Sequence, residues 1–323
     1  MASLAAATVA FFSTGAYAQL GAVSPGTQSQ VAKTLEVSPI EPSFTYTPAA
    51  HVANGASLRN SGEATIRLRG MPGDAKVIKA WLYWDFTSLT SPAFAQSNVL
   101  FGPKGTLVNL SFPIPGTQIG TGADPCWFGG SNFAFRGDVT RLVKGNGDYI
   151  VTLFPKASSS TNGANPWGPT APTTGPLAEG ASLVVVYSSL TEPMGTVLLY
   201  DAGLAGTEFI SVLSYTLDSV PTIPGVSSSI FTEIGADGQI GSGLAAVAGL
   251  SGETTELNTT LIAGPGSAAN DSDWNGTDGV PLNQLWDTHS HDVTGLLTPG
   301  TNGLTITASG DCLVAIANVL TVR

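Results

Sequence analysis

The apolar residues of this chain occur in short runs that turn-forming residues separate. Examples of these runs are Val77–Phe86, Ala181–Tyr187 and Leu313–Val319. Short apolar runs with glycine, proline and asparagine between them are typical of β-strands and not of long helices. The 323 residues include 39 glycines and 21 prolines, which favours frequent turns. The pattern therefore predicts an all-β protein.

A weak internal duplication organises the predicted strands. Residues 137–153 and 291–307 both contain Asp-Val-Thr, an apolar pair, a Gly/Asn turn and a β-rich run. In each half the order is strand, strand, long loop, Asp-Val-Thr turn, strand, loop, strand. This order predicts two tandem jelly-roll or β-sandwich domains, over residues 60–195 and 196–323.

The Asp-Val-Thr elements have a structural interpretation. Asp138 and Asp292 can accept backbone N–H groups as the N-caps of short helical turns. The Gly-Asn-Gly sequence of residues 145–147 tolerates positive φ and can return the chain into the next strand. We therefore interpret both aspartates as structural caps. The sequence contains no G-x-S-x-G motif, and we predict no catalytic residue from it.

The N-terminal region predicts export. Residues 1–18 combine an apolar stretch with an Ala-Tyr-Ala cleavage pattern, which indicates a signal peptide. Residues 19–59 form a predicted extended leader that has a strand-like piece around Thr34–Val37. No other stretch reaches the roughly 18 apolar residues that a membrane span requires. We expect an extracellular or cell-surface protein with no membrane span in the mature chain.

Charge and cysteine content narrow the function classes. Only 11% of the residues are charged and the formal net charge is −11. Nucleic-acid binding needs clustered Lys and Arg, whereas the 12 in this chain are scattered, so we exclude a nucleic-acid partner. Cys126 and Cys312 fit an oxidising compartment, where a disulfide between them would link the two domains. Two buried thiols are the alternative.

One acidic segment predicts a calcium site. Residues 271–278, Asp-Ser-Asp-Trp-Asn-Gly-Thr-Asp, match the D-x-D-x-N-G opening of a calcium-binding loop. The candidate Ca²⁺ ligands are Asp271, Asp273, Asn275 and Asp278. Leu282 stands at the twelfth position, where such a loop carries a bidentate acid. An Asx-rich turn without a cation is the alternative.

A second polar segment is a weaker metal candidate. Asp287, His289 and His291 alternate along a predicted strand, so they share one face and could bind a transition metal. Superposing the two Asp-Val-Thr elements places Asp287 and His289 opposite Phe133 and Phe135, which we expect to face the core. Hydrogen-bonded structural histidines are therefore the alternative.

Three tryptophans in loop-like sequence are candidates for ligand stacking. Trp127, Trp167 and Trp274 have large apolar rings that suit the face of a sugar. These residues point to cell-surface glycans as a partner class. The alternative is that the rings cover the end of a sandwich.

Three segments carry a family resemblance. Lys79–Trp84 (KAWLYW), the Asp-Val-Thr of 138–140 with the Gly-Asn-Gly of 145–147, and Glu179–Tyr187 (EGASLVVVY) lie in a chain that resembles a family of uncharacterised bacterial and archaeal secreted β-sandwich proteins. Members of this family often occur in adhesin-like surface chains. The resemblance covers residues 60–323 and implies an extracellular location without an established activity.

These observations favour a secreted structural or adhesive component of a surface or matrix. The leader could add a strand to the sheet edge of another copy, which would make the protein a homo-oligomer. A calcium-dependent glycan-binding module is the alternative function. A hydrolase of surface polymers is a third hypothesis.

Overall fold

The computed structural model describes most of the chain from residue 49 onwards. It describes residues 36–37, 49–59, 61–89, 97–105, 109–124, 130–153, 176–202, 208–209, 211–222, 225, 228–238, 252–267, 274, 276, 285–309 and 311–323. All of them belong to one unit that spans residues 32–323. The predicted signal peptide, residues 1–18, lies outside the described residues.

The described residues form nineteen strands and no helix, so the all-β prediction is confirmed. No helix in that part of the chain is long and apolar enough to cross a membrane. The strands are β1 (Glu36–Val37), β2 (Ala49–Ser57), β3 (Glu63–Leu68), β4 (Lys76–Ser88), β5 (Asn98–Pro103), β6 (Phe112–Pro115), β7 (Thr117–Ala123), β8 (Ser131–Asp138), β9 (Gly147–Leu153), β10 (Leu177–Ser188), β11 (Thr196–Asp201), β12 (Glu208–Phe209), β13 (Val212–Val220), β14 (Ser229–Ala236), β15 (Thr254–Leu257), β16 (Thr260–Ala263), β17 (Trp286–Asp292), β18 (Gly300–Thr307) and β19 (Leu313–Val322).

These strands form four sheets. Sheet I has the order β2-β10-β4-β8-β7 and sheet II the order β3-β9-β5-β6. Sheet III has the order β11-β19-β14-β17, with β12 also pairing with β19, and sheet IV has the order β1-β13-β18-β15-β16. The strand pairs are antiparallel, except that β1 runs parallel to β13.

The internal duplication is confirmed by the strand order. Across sheet I the order is β2, β10, β4 and β8, and across sheet III it is β11, β19, β14 and β17. When the strands of each set are ranked by their position in the chain, the two orders are the same. The order β3, β9, β5 and β6 across sheet II matches the order β13, β18, β15 and β16 across sheet IV in the same way. Sheets I and II therefore form sandwich one, and sheets III and IV form sandwich two. Strand β2, which lies within the predicted leader of residues 19–59, is an edge strand of sheet I.

Sheets I and III lie in the middle of the molecule, and their burial pattern shows it. All ten residues of β19 are buried, whereas exposed or half-buried residues alternate with buried ones along most of β13 in sheet IV. A strand covered on both faces has no solvent-facing positions, which explains the continuous apolar run of β19. On β4, Trp84 and Phe86 face the core of sandwich one, while Trp81 and Tyr83 pack with residues of sandwich two.

The Asp-Val-Thr corners have the same hydrogen bonds in both halves. The Asp138 carboxylate accepts the Thr140 amide at 2.9 Å, and the Thr140 hydroxyl accepts the Ala80 amide at 3.0 Å. In the second half the Asp292 carboxylate accepts the Thr294 amide at 2.9 Å. Each aspartate thus caps a short turn, in which the carbonyl oxygen of Val139 accepts the Leu142 amide at 2.9 Å and that of Val293 accepts the Leu296 amide at 3.0 Å. The first corner joins β8 of sheet I to β9 of sheet II, and the second joins β17 of sheet III to β18 of sheet IV.

Candidate functional site

A hydrogen-bonded polar layer joins the two sandwiches between sheets I and III. The hydroxyls of Ser182 on β10 and Thr288 on β17 are 2.7 Å apart, and the Trp286 indole N–H donates to Ser182 Oγ at 2.8 Å. At another point, Arg136 on β8 donates to the Asp201 carboxylate on β11 at 2.6 Å. Burial, partly offset by Arg136, raises the pKa of Asp201. The sandwiches are therefore held together by specific polar contacts as well as by apolar packing.

His51 on β2 connects sheet I to two strands of sheet III. Its Nδ1 lies 2.6 Å from the Thr321 hydroxyl and its Nε2 lies 2.7 Å from the Thr232 hydroxyl. Burial of the ring, with the nearby positive charge of Arg323, lowers the pKa of His51 to about 3. The imidazole is therefore neutral at physiological pH, and each ring nitrogen has a hydroxyl partner.

We expect His51 to make the protein less stable as the pH falls from 7 to 5. The folded-state pKa of His51, about 3, lies below the ordinary value of 6.5, so the unfolded chain binds the extra proton. Stability from this group is present above pH 6.5 and is lost as the pH falls towards 3. We expect the free energy of unfolding of the wild type minus that of His51→Gln, measured in urea, to decrease by about 2 kcal/mol between pH 7 and pH 5. A difference that stays constant over this range would contradict the prediction.

Four acidic side chains and one arginine lie buried at one end of the polar layer. We call Asp85, Asp124, Glu179 and Asp237 the carboxyl cluster; with Arg59, all are at most 2% exposed. Asp85 lies on β4 and Glu179 on β10, while the other three follow directly or closely after β7, β14 and β2. The cluster thus combines side chains from sheet I with Asp237, which extends from sheet III.

Arg59 links the two sandwiches within this cluster. Its Nη2 donates to the carboxylate of Glu179 and lies 3.7 Å from Asp237 Oδ1. Its Nε donates to the carbonyl oxygen of Ala178 at 2.8 Å. One guanidinium therefore contacts an acid of each sandwich, and this arrangement compensates part of the negative charge that the fold buries.

Asp85 has the most unfavourable environment of the four acids. Neither of its carboxylate oxygens has a hydrogen-bond partner among the described residues. Burial raises the pKa of Asp85 well above its usual range, and the charges of Asp237 and Asp124 raise it further, against a smaller opposing effect of Arg59. Burial and neighbouring negative charge therefore favour the protonated form of the Asp85 carboxyl. Asp85 can therefore act as a proton or hydrogen-bond donor where an ordinary aspartate would be an anion.

The neighbouring acids are held by defined contacts. The Thr87 hydroxyl donates to the carboxylate of Asp124. Burial raises the pKa of Glu179 well above its usual range, although the charge of Arg59 acts in the opposite direction. Asp85 and Glu179 therefore bind protons more tightly than isolated carboxylates do.

The carboxyl cluster lies at strand ends that long connections join. Strand β4 ends at Ser88 just before residues 90–96, and β14 ends at Ala236 shortly before residues 239–251. Residues 154–175 lead into β10, which begins two residues before Glu179. These connections lie outside the described residues. Binding and catalytic residues are concentrated where loops leave a rigid scaffold, so this end of the layer is the best candidate functional site.

The sequence analysis missed the carboxyl cluster because its members are far apart in the chain. Asp85 follows Trp-Leu-Tyr-Trp in an apolar strand, and Glu179 opens an equally apolar run. An acid within a strand that is otherwise apolar was the available signal, since only 11% of the chain is charged. Nothing in the local pattern shows that residues 59, 124 and 237 join them.

The strand β17 brings two of the three weaker metal candidates together. Asp287 Oδ1 lies 3.4 Å from His289 Nε2, and Asp287 Oδ2 accepts the amide of Gly276 at 3.0 Å. Across the strand pair, His289 is opposite Glu233, which accepts the hydroxyl of Thr255 at 2.9 Å. Within the described residues, no three His, Cys, Asp or Glu side chains are arranged to hold a metal ion. Asp287 therefore acts here as a buried hydrogen-bond acceptor.

Trp274 differs from the sequence expectation, because it is a core residue. Its side chain is fully buried, and its ring lies edge-on to Phe209 with centroids 6.3 Å apart. A Cβ added to Gly235 would come within 2.0 Å of the indole, so the glycine provides the space for the ring. Neither face of Trp274 is open to a sugar. The expectation of ligand stacking at this residue is therefore wrong.

Several other predicted site residues lie outside the described residues. These are the calcium candidates Asp271, Asp273, Asn275 and Asp278, the stacking candidates Trp127 and Trp167, and Cys126. Cys312 is fully buried just before β19. The calcium site and the disulfide between Cys126 and Cys312 stay predictions.

Comparison with known proteins finds only distant similarity. No protein-family model matches the chain, and no curated protein matches it in sequence. Among solved structures, a β-porphyranase of glycoside hydrolase family 86 from Bacteroides plebeius is similar at 12% identity and a TM-score of 0.24, with 90% of this chain and 37% of that chain covered. A peptide-N(4)-(N-acetyl-β-D-glucosaminyl) asparagine amidase is similar at 12% identity and a TM-score of 0.24, with 85% and 95% covered. The chain spans about a third of the glycoside hydrolase chains that it matches.

Proposed function

We propose that this protein is a secreted structural or adhesive component that assembles through strand addition at the edge of sheet IV. The observation that supports the proposal is the position of β1. This short strand comes from the predicted leader and pairs in parallel with β13, with Glu36 opposite Thr216 and Val37 opposite Leu217. The leader sequence is therefore able to extend the outer sheet of sandwich two.

Strand β13, which lies between β1 and β18, is longer than the two-residue strand β1. On its inner side, β13 pairs with β18 from Val212 to Val220. On its outer side, the described part of the leader pairs at two positions only. Unpaired backbone groups along a sheet edge bind an additional strand, as in β-augmentation. A longer stretch of leader from a second copy fits this edge.

The edge of sheet II contrasts with that of sheet IV. Its edge strand β6 contains Pro113 and Pro115, which lack the N–H group that a ladder needs. Strand β13 contains no proline. Strand β3 at the other edge of sheet II contains no proline either, so the difference disfavours assembly only at the β6 edge.

Deleting residues 19–45 should abolish assembly. The mature chain should form larger species as its concentration rises, because leaders exchange between copies, whereas the truncated chain should stay monomeric. Light scattering coupled to size-exclusion chromatography over a concentration series measures this. Val37→Pro is the matched control for leader length, and it should behave like the deletion because proline removes a backbone donor from β1. If all three proteins remain monomeric, or all three assemble equally, the proposal is wrong.

A further inference from the structure

The carboxyl cluster has an imbalance of charge that the fold has to neutralise. It holds four buried acids and one guanidinium, and both carboxylate oxygens of Asp85 lack a hydrogen-bond partner among the described residues. A buried carboxylate without compensation costs several kcal/mol, and such groups bind a proton instead. At least one acid of the cluster is therefore neutral in the folded protein.

The contacts identify Asp85 as the acid that keeps a proton. Glu179 accepts from Arg59, Asp124 accepts from Thr87, and Asp237 Oδ1 lies 3.7 Å from Arg59. Asp85 alone among the four has both oxygens without a hydrogen-bond partner in the described part of the chain.

Asp85 also faces charged groups from every side. Glu179 approaches from β10, Asp124 from the end of β7, Asp237 from the end of β14 and Arg59 from the end of β2. Three of these four groups are acidic. The surroundings therefore favour the neutral form of the Asp85 carboxyl.

We propose that Asp85 is a proton-operated latch between the two sandwiches. With a proton on Asp85, β4 and the segment after β14 pack together and the end of the polar layer is closed. When the proton leaves, the new charge on Asp85 is repelled by Asp124 and Asp237, and the two sandwiches separate at this end.

The part of the interface that the latch controls is defined by the register of sheet I. Asp85 is paired with Gly180 on β10, and a Cβ added to Gly180 would lie 2.3 Å from Cγ of Trp286 on sheet III. The indole of Trp286 is thus packed directly against the backbone beside the latch. Repulsion between Asp85 and Asp237 would lift this contact first and expose the polar layer beside Ser182.

Infrared spectroscopy tests the first half of the proposal. The carbonyl band of a protonated carboxyl should be present in the wild type at pH 7 and should lose intensity in Asp85→Asn. Asp148→Asn is the matched control, because Asp148 forms an exposed pair with Arg69 and its pKa is lowered mainly by the hydrogen bond from Arg69. This control should keep the band. A wild-type spectrum without the band at pH 7 overturns the proposal and requires no variant.

Hydrogen exchange tests the second half. Amides of β10 and β17 should exchange faster in the wild type than in Asp85→Asn, and the ratio should rise by up to about tenfold per pH unit below the pKa of Asp85. Comparing the two proteins at equal pH removes the intrinsic pH dependence of exchange. Asp237→Asn is a second variant, and it should make the rise smaller because the charged Asp85 is then repelled by one acid fewer. A ratio that does not change between pH 6 and pH 9 overturns the latch.

Discussion

Replacing Arg59 by methionine is expected to lower the free energy of unfolding by about 3–5 kcal/mol at pH 7. Methionine retains much of the volume of the arginine stem, so the main effect is the loss of charge. Glu179 then loses the hydrogen bond that it accepts from Arg59, and Asp237 loses the positive charge 3.7 Å away. Both carboxyls stay buried, and removing one partner of a buried ion pair is strongly destabilising.

Urea denaturation of wild type and Arg59→Met measures this loss. Arg69→Met is the matched control, because the Arg69 side chain is 58% exposed in its pair with Asp148, and exposed pairs contribute little. The double variant Arg59→Met/Glu179→Gln should recover part of the loss, since it removes the stranded charge together with its partner. An unfolding midpoint for Arg59→Met as close to wild type as that of the control would show that Arg59 does not neutralise the cluster.

The loss in Arg59→Met should be smaller at pH 5 than at pH 8. Burial raises the pKa of Glu179 above its usual range, so this acid takes up a proton as the pH falls and no longer needs a cation. A group whose pKa is raised on folding contributes stability at low pH that is lost as the pH rises through the folded-state pKa. His51 has the opposite dependence, because its pKa is lowered on folding to about 3. The His51→Gln background therefore separates the two effects.

The second large effect is expected at Gly180, where an added methyl group should destabilise the interface between the sandwiches. A Cβ at this position would lie 2.3 Å from Cγ and 2.6 Å from Cβ of Trp286. These atoms are close to the backbone of β17 and cannot rotate away, so either the indole or the sheet has to move. Overpacking of this kind costs about 1–3 kcal/mol, and we expect Gly180→Ala to lie in that range.

Gly303→Ala provides the control for Gly180→Ala. Gly303 also lies within a strand, and a Cβ added there meets no atom within 4 Å. Thermal or urea unfolding should therefore show a clear loss for Gly180→Ala and little change for Gly303→Ala. Adding Trp286→Phe to Gly180→Ala should relieve part of the strain. If the two alanine variants unfold alike, the close contact between sheets I and III is not as the structure shows it.

The strands and their duplication were predictable because both depend on local pattern. The runs Val77–Phe86 and Ala181–Tyr187 lie entirely within β4 and β10, and the Asp-Val-Thr elements mark equivalent corners. A turn is specified by the few residues that form it, so a repeated turn sequence gives a repeated turn. Each aspartate accepts a hydrogen bond from the residue two positions later in the chain, so this structural role can be predicted without tertiary information.

The role of Trp274 and the carboxyl cluster depended on contacts between distant segments. Trp274 belongs to a polar stretch that is typical of a loop, but the space left by Gly235 accommodates its ring in the core. Asp85 and Asp237 are 152 positions apart in the sequence and meet because the second sandwich packs its sheet III against sheet I. No local pattern encodes which sheet faces are joined.

The sequence by itself determined the strand class, the two-fold repetition and the capped corners of this protein, since these follow from residue preferences and from spacing along the chain. Only the tertiary structure decided that two of the four sheets are covered on both sides and that one end of their interface buries four acids around Arg59. The physical reason is burial. Whether a carboxyl is ionised or keeps its proton depends on how far the surrounding sheets exclude water from it. That exclusion depends on packing between residues far apart in the chain.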